Sequence, residues 1–190
     1  IDELLKQRWS PLAFDERMVE REKLQSLLEA ARWAPSCFNE QPWHFIVATK
    51  ENPAEYDRLL GCLVEANQTW AKHAPVLMLS VVKLTFTRNH KANAQAQHDL
   101  GLAAMSLVIQ AQSLGLITHQ MGGFLADKAR AAYAIPQDCE PIAAIAVGYP
   151  GESDSLPPNL KERELSTRTR KPLKDFVFTG TWGHSSPLVL

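Results

Sequence analysis

Three short stretches of this chain combine charge, polar side chains and backbone freedom in ways that suit an anionic, planar ligand. Arg8-Trp9-Ser10 sets a permanent cation two residues from a hydroxyl. A guanidinium presents a planar fork matched to phosphate oxygens, and serine adds a neutral donor; a solvated helix end would use the same residues. In Ala34-Pro35-Ser36-Cys37-Phe38-Asn39-Glu40-Gln41-Pro42-Trp43 two prolines stiffen a loop that carries Ser36, Asn39 and Gln41. Such a loop aims donors and acceptors at the edge of a heteroaromatic ring, or equally caps its own backbone between helix and strand. Met121-Gly122-Gly123-Phe124 is the third stretch. Paired glycines let backbone amides approach a ligand with no side chain in the way, and they also serve an ordinary strand–helix turn.

The common signatures of self-sufficient catalysis are missing. There is no GxGxxG, no GxxxxGK[ST], no HExxH and no GxSxG, so neither a dinucleotide fold, a P-loop, a zinc protease nor a hydrolase elbow is indicated. Any difficult chemistry is therefore expected of a cofactor, and no side chain is assigned as catalytic or as a metal ligand. The three cysteines, Cys37, Cys62 and Cys139, show no CxxC spacing, which argues against a disulfide framework and for a reducing, cytoplasmic home. Cys37 is expected to be an inert thiol. His119 has a structural and a ligand-contacting role open to it. Trp43 and Trp70 read as packing aromatics, while Phe86, Phe124 and Trp182 suit either an acceptor pocket or the core.

Elements that must position these residues follow from periodicity. Leu24, Leu27, Leu28 and Ala31 fall at helical spacing within 22–34, and Pro35 stops that helix. His44–Ala48 and Pro75–Val82 read as strands, with a helix over 54–66 between them. Residues 98–114 form a helix apolar on almost every side, which predicts burial against a large core or a second subunit. Leu116–Met121 and Ile142–Tyr149 read as core strands around a short helix near 126–134. From Pro150 the apolar period is lost, and 150–190 is expected to be an extended arm of one domain spanning 1–190. Alternation of helices and strands gives an α/β or α+β layered fold.

The chain has 190 residues, 45% of them hydrophobic and 22% charged, with Lys+Arg 20 against Asp+Glu 21. That composition excludes wholesale disorder and supplies no global pull toward nucleic acid or anionic lipid. No apolar run is long enough to span a membrane.

Taken in order, these stretches resemble the nitroreductase family of FMN enzymes. The resemblance runs through Arg8 and Ser10, LLEAARWAPSCFNEQPWHFIV from Leu27 to Val47, Asn67 with Trp70, and Ala74-Pro75-Val76. It continues through HDLGLAAMSLVIQAQSLGL, HQMGGF, AIAVGYP and TRTRKPL, and covers about residues 5 to 178. It implies an α+β three-layer fold, a central mixed β-sheet flanked by helices, in an intertwined, domain-swapped homodimer with FMN at the interface. It also implies hydride transfer from NAD(P)H through the flavin to a small organic acceptor in a ping-pong cycle. By the same resemblance Arg8, Trp9, Ser10, Arg168 and Arg170 hold the phosphate and ribityl end. Pro35, Ser36, Asn39 and Asn67 lie near the flavin ring, some across the interface, and Gly122 and Gly123 place amides at its edge. One departure stands out: Pro11-Leu12 occupy the place where the family often continues with a second basic residue, and Arg168 and Arg170 are the cations available to replace it.

Other readings compete. A relative of this family can carry different flavin chemistry, such as dehalogenation, dehydrogenation or flavin fragmentation, or can bind flavin without turnover. A nucleic-acid module would rest on the basic run Lys161–Lys174, which holds six Lys/Arg beside Glu162 and Glu164. That run lacks interleaved aromatics for base stacking, so neither nucleic acid nor membrane is expected as a partner.

Overall fold

The computed structural model describes residues 1–189. A short helix α1 (Glu3–Gln7), capped by the Asp2 carboxylate on the Leu4 amide at 2.9 Å, leads into the two-residue strand β1 (Phe14–Asp15). The long helix α2 (Arg21–Arg32) follows, then the Pro35–Gln41 loop and β2 (Trp43–Thr49). Helices α3 (Pro53–Leu60) and α4 (Glu65–Ala71) lead to β3 (Val76–Lys83). Helix α5 (Ala96–Ser113), β4 (Ile117–Met121), α6 (Ala126–Tyr133) and β5 (Cys139–Pro150) complete the layered part, and α7 (Pro158–Leu165) lies in the tail.

The sheet order is β1-β5-β3-β2, with β4 also paired to β5. Strand β3 is buried from Val76 to Val82, and its alternation feeds two cores. Leu77, Leu79 and Val81 face Tyr56, Leu59, Leu63 and Trp70 of the α3–α4 side, while Val76 and Met78 face Leu27, Ala31, Ala103 and Leu107 of α2 and α5. Period-2 side-chain direction on a strand covered on both faces yields these three layers.

The sequence reading differs from this architecture in three places. A mixed sheet was expected, yet every pairing among the described residues is antiparallel. The reason is topological: β3 and β4 run the same way, but β5 lies between them and opposes both. One helix over 54–66 is in fact two, because the chain turns at Gly61, and Leu63 forms a β-bridge to Phe124. The tail segment expected to be extended contains α7, opened by Pro158 at its first turn. Helix α5 buries Ala103, Leu107 and Ala111 in the core of its own chain and leaves Gly101 and Met105 exposed, Met105 by 38%, so of the two expected coverings the chain's own core supplies only part. None of the described helices is long and apolar enough to cross a membrane.

Candidate functional site

Residues 8–12 leave α1 as an extended segment, and the tail returns beside them. Glu164 on α7 makes that junction. Its carboxylate accepts from the Leu12 amide at 2.7 Å and the Ala13 amide at 3.4 Å, and the side chain is buried. Arg168 then donates to the carbonyls of Arg8 at 2.9 Å and Lys6 at 3.1 Å. The result is a cavity of about 240 Å³ lined by Arg8, Trp9, Ser10, Leu12, Arg163, Glu164, Ser166, Arg168 and Arg170.

Charge in this cavity is unbalanced. None of Arg8, Arg163, Arg168 and Arg170 is in an ion pair among the described residues. The lone carboxylate, Glu164, is spent on two backbone amides. Burial, followed by the repulsion of Arg170 and Arg168, pulls the Arg8 guanidinium below its ordinary pKa. Its Nη1 donates to Ser10 Oγ at 3.4 Å. A part-buried guanidinium such as that of Arg8, without a counterion and beside exposed cations, is costly unless an anion joins it, so the donor set suits a phosphate.

From Arg8 and Ser10 a second cavity of about 300 Å³ continues along β4, lined by Met105 and Val108 of α5 and by Thr118 and Gln120. The strand points Thr118 and Gln120 to one face, while His119 turns to the other. There the His119 ring sits 4.6 Å from the Trp70 ring, and its Nδ1 bonds the Pro11 carbonyl at 2.8 Å. Burial, then the Arg163 charge, lower the His119 pKa against the raising effect of the Pro11 bond, which keeps the ring neutral near pH 7. His119 therefore fastens the Arg8–Leu12 segment to β4.

At the end of β4, Asn67 Nδ2 donates to the Gly123 carbonyl at 2.9 Å and the Val64 amide does so at 3.1 Å. A Cβ on Gly123 would lie 2.6 Å from Asn67 Nδ2, whereas one on Gly122 would meet nothing within 4 Å. The amides of Gly122 and Gly123 have no acceptor among the described residues. They are open donors just past the end of β4, whose Thr118 and Gln120 line the cavity.

The Pro35–Gln41 loop stands elsewhere. Ser36 Oγ accepts from the Gln41 amide at 3.0 Å, and the Cys37 amide donates to Asp99 Oδ2 at 3.0 Å. That tie fixes the loop at the first turns of α5, whereas the β4 cavity lies beside Met105 and Val108. At ~1.5 Å per residue the separation along the helix is about 9–14 Å. None of Pro35, Ser36 and Asn39 lines either cavity.

So Arg8, Trp9, Ser10, Arg168 and Arg170 come together, Asn67 joins Gly122 and Gly123, and the proline-flanked loop stays apart in one chain. Thr118 and Gln120 escaped the sequence reading, although the i, i+2 spacing on β4 carried the signal; Arg163, Glu164 and Ser166 escaped because α7 was unseen. Where a second basic residue was missed, Pro11 supplies the carbonyl for His119, and Arg163 adds a cation from α7. Phe124 packs on the α3–α4 core, Trp70 is fully buried, and Trp182 is 93% exposed.

The model of the nitroreductase family matches residues 5–149. The chain belongs to the nitroreductase family. A solved structure described as an oxidoreductase containing FMN superposes with a TM-score of 0.91 at 36% identity, covering 97% of this chain and 94% of that one. A nitroreductase family protein from Clostridium difficile 630 superposes with a TM-score of 0.73 at 27% identity, covering 94% and 97%. The FMN reductase [NAD(P)H] of Bacillus subtilis (strain 168) is 23% identical over 172 residues, 81% of this chain and 67% of the relative.

Proposed function

We propose that this chain is an FMN-dependent oxidoreductase that takes hydride from NAD(P)H and delivers it to a small organic acceptor such as a nitroaromatic or a quinone. The observation that carries this reading is the cavity of unpaired arginines that continues along Thr118 and Gln120 of β4, the strand that ends next to the open amides of Gly122 and Gly123. FMN fits it. Arg8, Ser10, Arg168 and Arg170 suit its phosphate and ribityl end, with Trp9 alongside, and the cavity beside Thr118 and Gln120 suits its ring. The chemistry FMN supplies when bound is a two-electron relay from nicotinamide to acceptor in a ping-pong cycle.

The residues of this chain orient and polarise. Amide donors from Gly122 and Gly123 favour negative charge at a ring edge, and Asn67 holds Gly123 in place for that task. Met105 and Val108 exclude water from one side. Pro35, Ser36 and Asn39 complete the ring site from a second copy of this chain, since in one chain they lie apart from the cavity. The outward face of α5, with Gly101 and Met105 exposed, supports a homodimer that buries it. The similarity to an FMN-containing oxidoreductase and to an FMN reductase supports the same reading.

Purification without added flavin, followed by anaerobic NADPH or NADH, tests it. A bound flavin band that bleaches is the expected result. A colourless protein that takes up no FMN would overturn the reading, and a band that neither nucleotide bleaches would favour a flavin store.

A further inference from the structure

Between β3 and α5 the chain folds back on itself. The Phe86 amide donates to the Lys91 carbonyl at 2.8 Å and the Asn93 amide to the Leu84 carbonyl at 2.8 Å, around a β-bridge between Thr85 and Ala92. This turn docks on the Pro35–Gln41 loop, because the Thr87 amide donates to Glu40 Oε1 at 2.7 Å. Phe38 and Phe86 meet edge to face with centroids 5.9 Å apart, and the Arg88 guanidinium lies 4.2 Å from the Phe38 centroid and 5.4 Å from that of Phe86.

Three features of this cluster exceed what packing needs. Phe38 sits in the left-handed region at φ 54°, which a residue with a Cβ disfavours. The conformation does not bury the ring, which is 71% exposed. Arg88 is in no ion pair among the described residues, for the nearby Glu40 is held by Thr87. Stacking occupies the face of a guanidinium and leaves its in-plane N–H fork free for a carboxylate or phosphate. Lys83 and Lys91 add to the positive field, with Lys83 Nζ bonded to Thr87 Oγ1 at 3.2 Å.

We infer that Phe38, Phe86 and Arg88 form a recognition platform for an aromatic ring that bears an anionic group, the ring lying on Phe38 and the anion on the free fork of Arg88. The inference rests on the reading that Ser36 and Asn39, which flank Phe38, face a flavin. Two carriers have this chemistry: an acidic aromatic acceptor, and the adenosine 2′-phosphate that distinguishes NADPH from NADH.

Equilibrium binding to the purified protein separates them. Wild type and Arg88→Gln are titrated with 4-nitrobenzoate and 4-nitrobenzamide in one arm, and with NADP⁺ and NAD⁺ in the other. Loss of a charge-assisted contact lowers the affinity ratio of anionic to neutral partner by about tenfold. A fall in the benzoate-to-benzamide ratio assigns the platform to the acceptor, and a fall in the NADP⁺-to-NAD⁺ ratio assigns it to the nucleotide. Arg88→Lys, which keeps the charge and loses the fork, recovers only part of either ratio. Both ratios unchanged within twofold overturn the inference. Because binding is read and not turnover, absence of flavin reduction would count against the proposed redox activity without touching this result.

Discussion

Replacing Arg8 with Ala should weaken binding of FMN far more than binding of riboflavin. Riboflavin carries the same ring and ribityl chain without the phosphate, so the pair isolates the anion. Arg8 is half-buried, has no carboxylate partner, and sits in the field of Arg168 and Arg170. A hydrogen bond between charged groups contributes roughly 1.5–3 kcal/mol, which at ~1.4 kcal/mol per decade is about 10- to 150-fold in Kd. Arg168 and Arg170 are exposed, so solvent screens them. Their replacement should cost ~0.2–1 kcal/mol each, and Arg170→Ala relieves some of the repulsion that depresses the Arg8 pKa. The assay is titration of flavin-free protein with each ligand, read by quenching of flavin fluorescence, at two salt concentrations. Higher salt should compress the FMN difference and leave riboflavin unmoved. An equal loss for both ligands in Arg8→Ala would refute the phosphate assignment and leave Arg8 a merely structural role.

Gly123→Ala should displace the Asn67 amide from its 2.9 Å bond to the Gly123 carbonyl and cost ~1–2 kcal/mol, while Gly122→Ala leaves stability within about 0.5 kcal/mol; equal urea midpoints for the two would remove this distinction. His119 titrates lower in the folded protein than its ordinary value of 6.5, so the unfolded chain binds the proton first. Stability from this group is complete above about pH 6.5 and declines as pH falls toward the folded pKa. Urea midpoints at pH 7.5 and 5.5 should therefore separate more in wild type than in His119→Asn, and identical separations would show that the buried ring is not responsible.

Elements with a strong apolar period were legible from the residues alone. The run Val76–Val82 can only be a doubly covered strand, and Leu24, Leu27, Leu28 and Ala31 can only face a core. What escaped were pieces whose identity depends on distant partners. Strand β1 is two residues long and exists because β5 offers Tyr149 and Pro150. Helix α7 contributes little apolar surface, and its placement depends on a buried carboxylate meeting two amides more than 150 residues away. Pairing direction escaped too, because nothing local to β3 or β4 reveals that β5 inserts between them. For the site, residue type sufficed to single out the arginines and the glycine pair, but not their company: the alternation on β4 hides Thr118 and Gln120 behind ordinary strand composition.

The same long-range dependence explains how the arginine cavity can exist at all. Four guanidiniums converge on one carboxylate, and that carboxylate is already committed to backbone, so attraction between the cations and Glu164 is not what assembles them. The assembling contacts are neutral or backbone-directed: His119 on Pro11, Arg168 on the carbonyls of Lys6 and Arg8, and Glu164 on Leu12 and Ala13. Each fixes the position of a chain segment and leaves guanidinium charge uncompensated. A fold stabilised by burying Leu12, Trp70 and Leu77 has the reserve to hold like charges together in this way. The uncompensated field is then available to whatever anion enters, and the Arg8–Ser10 segment is held by contacts that involve no anion.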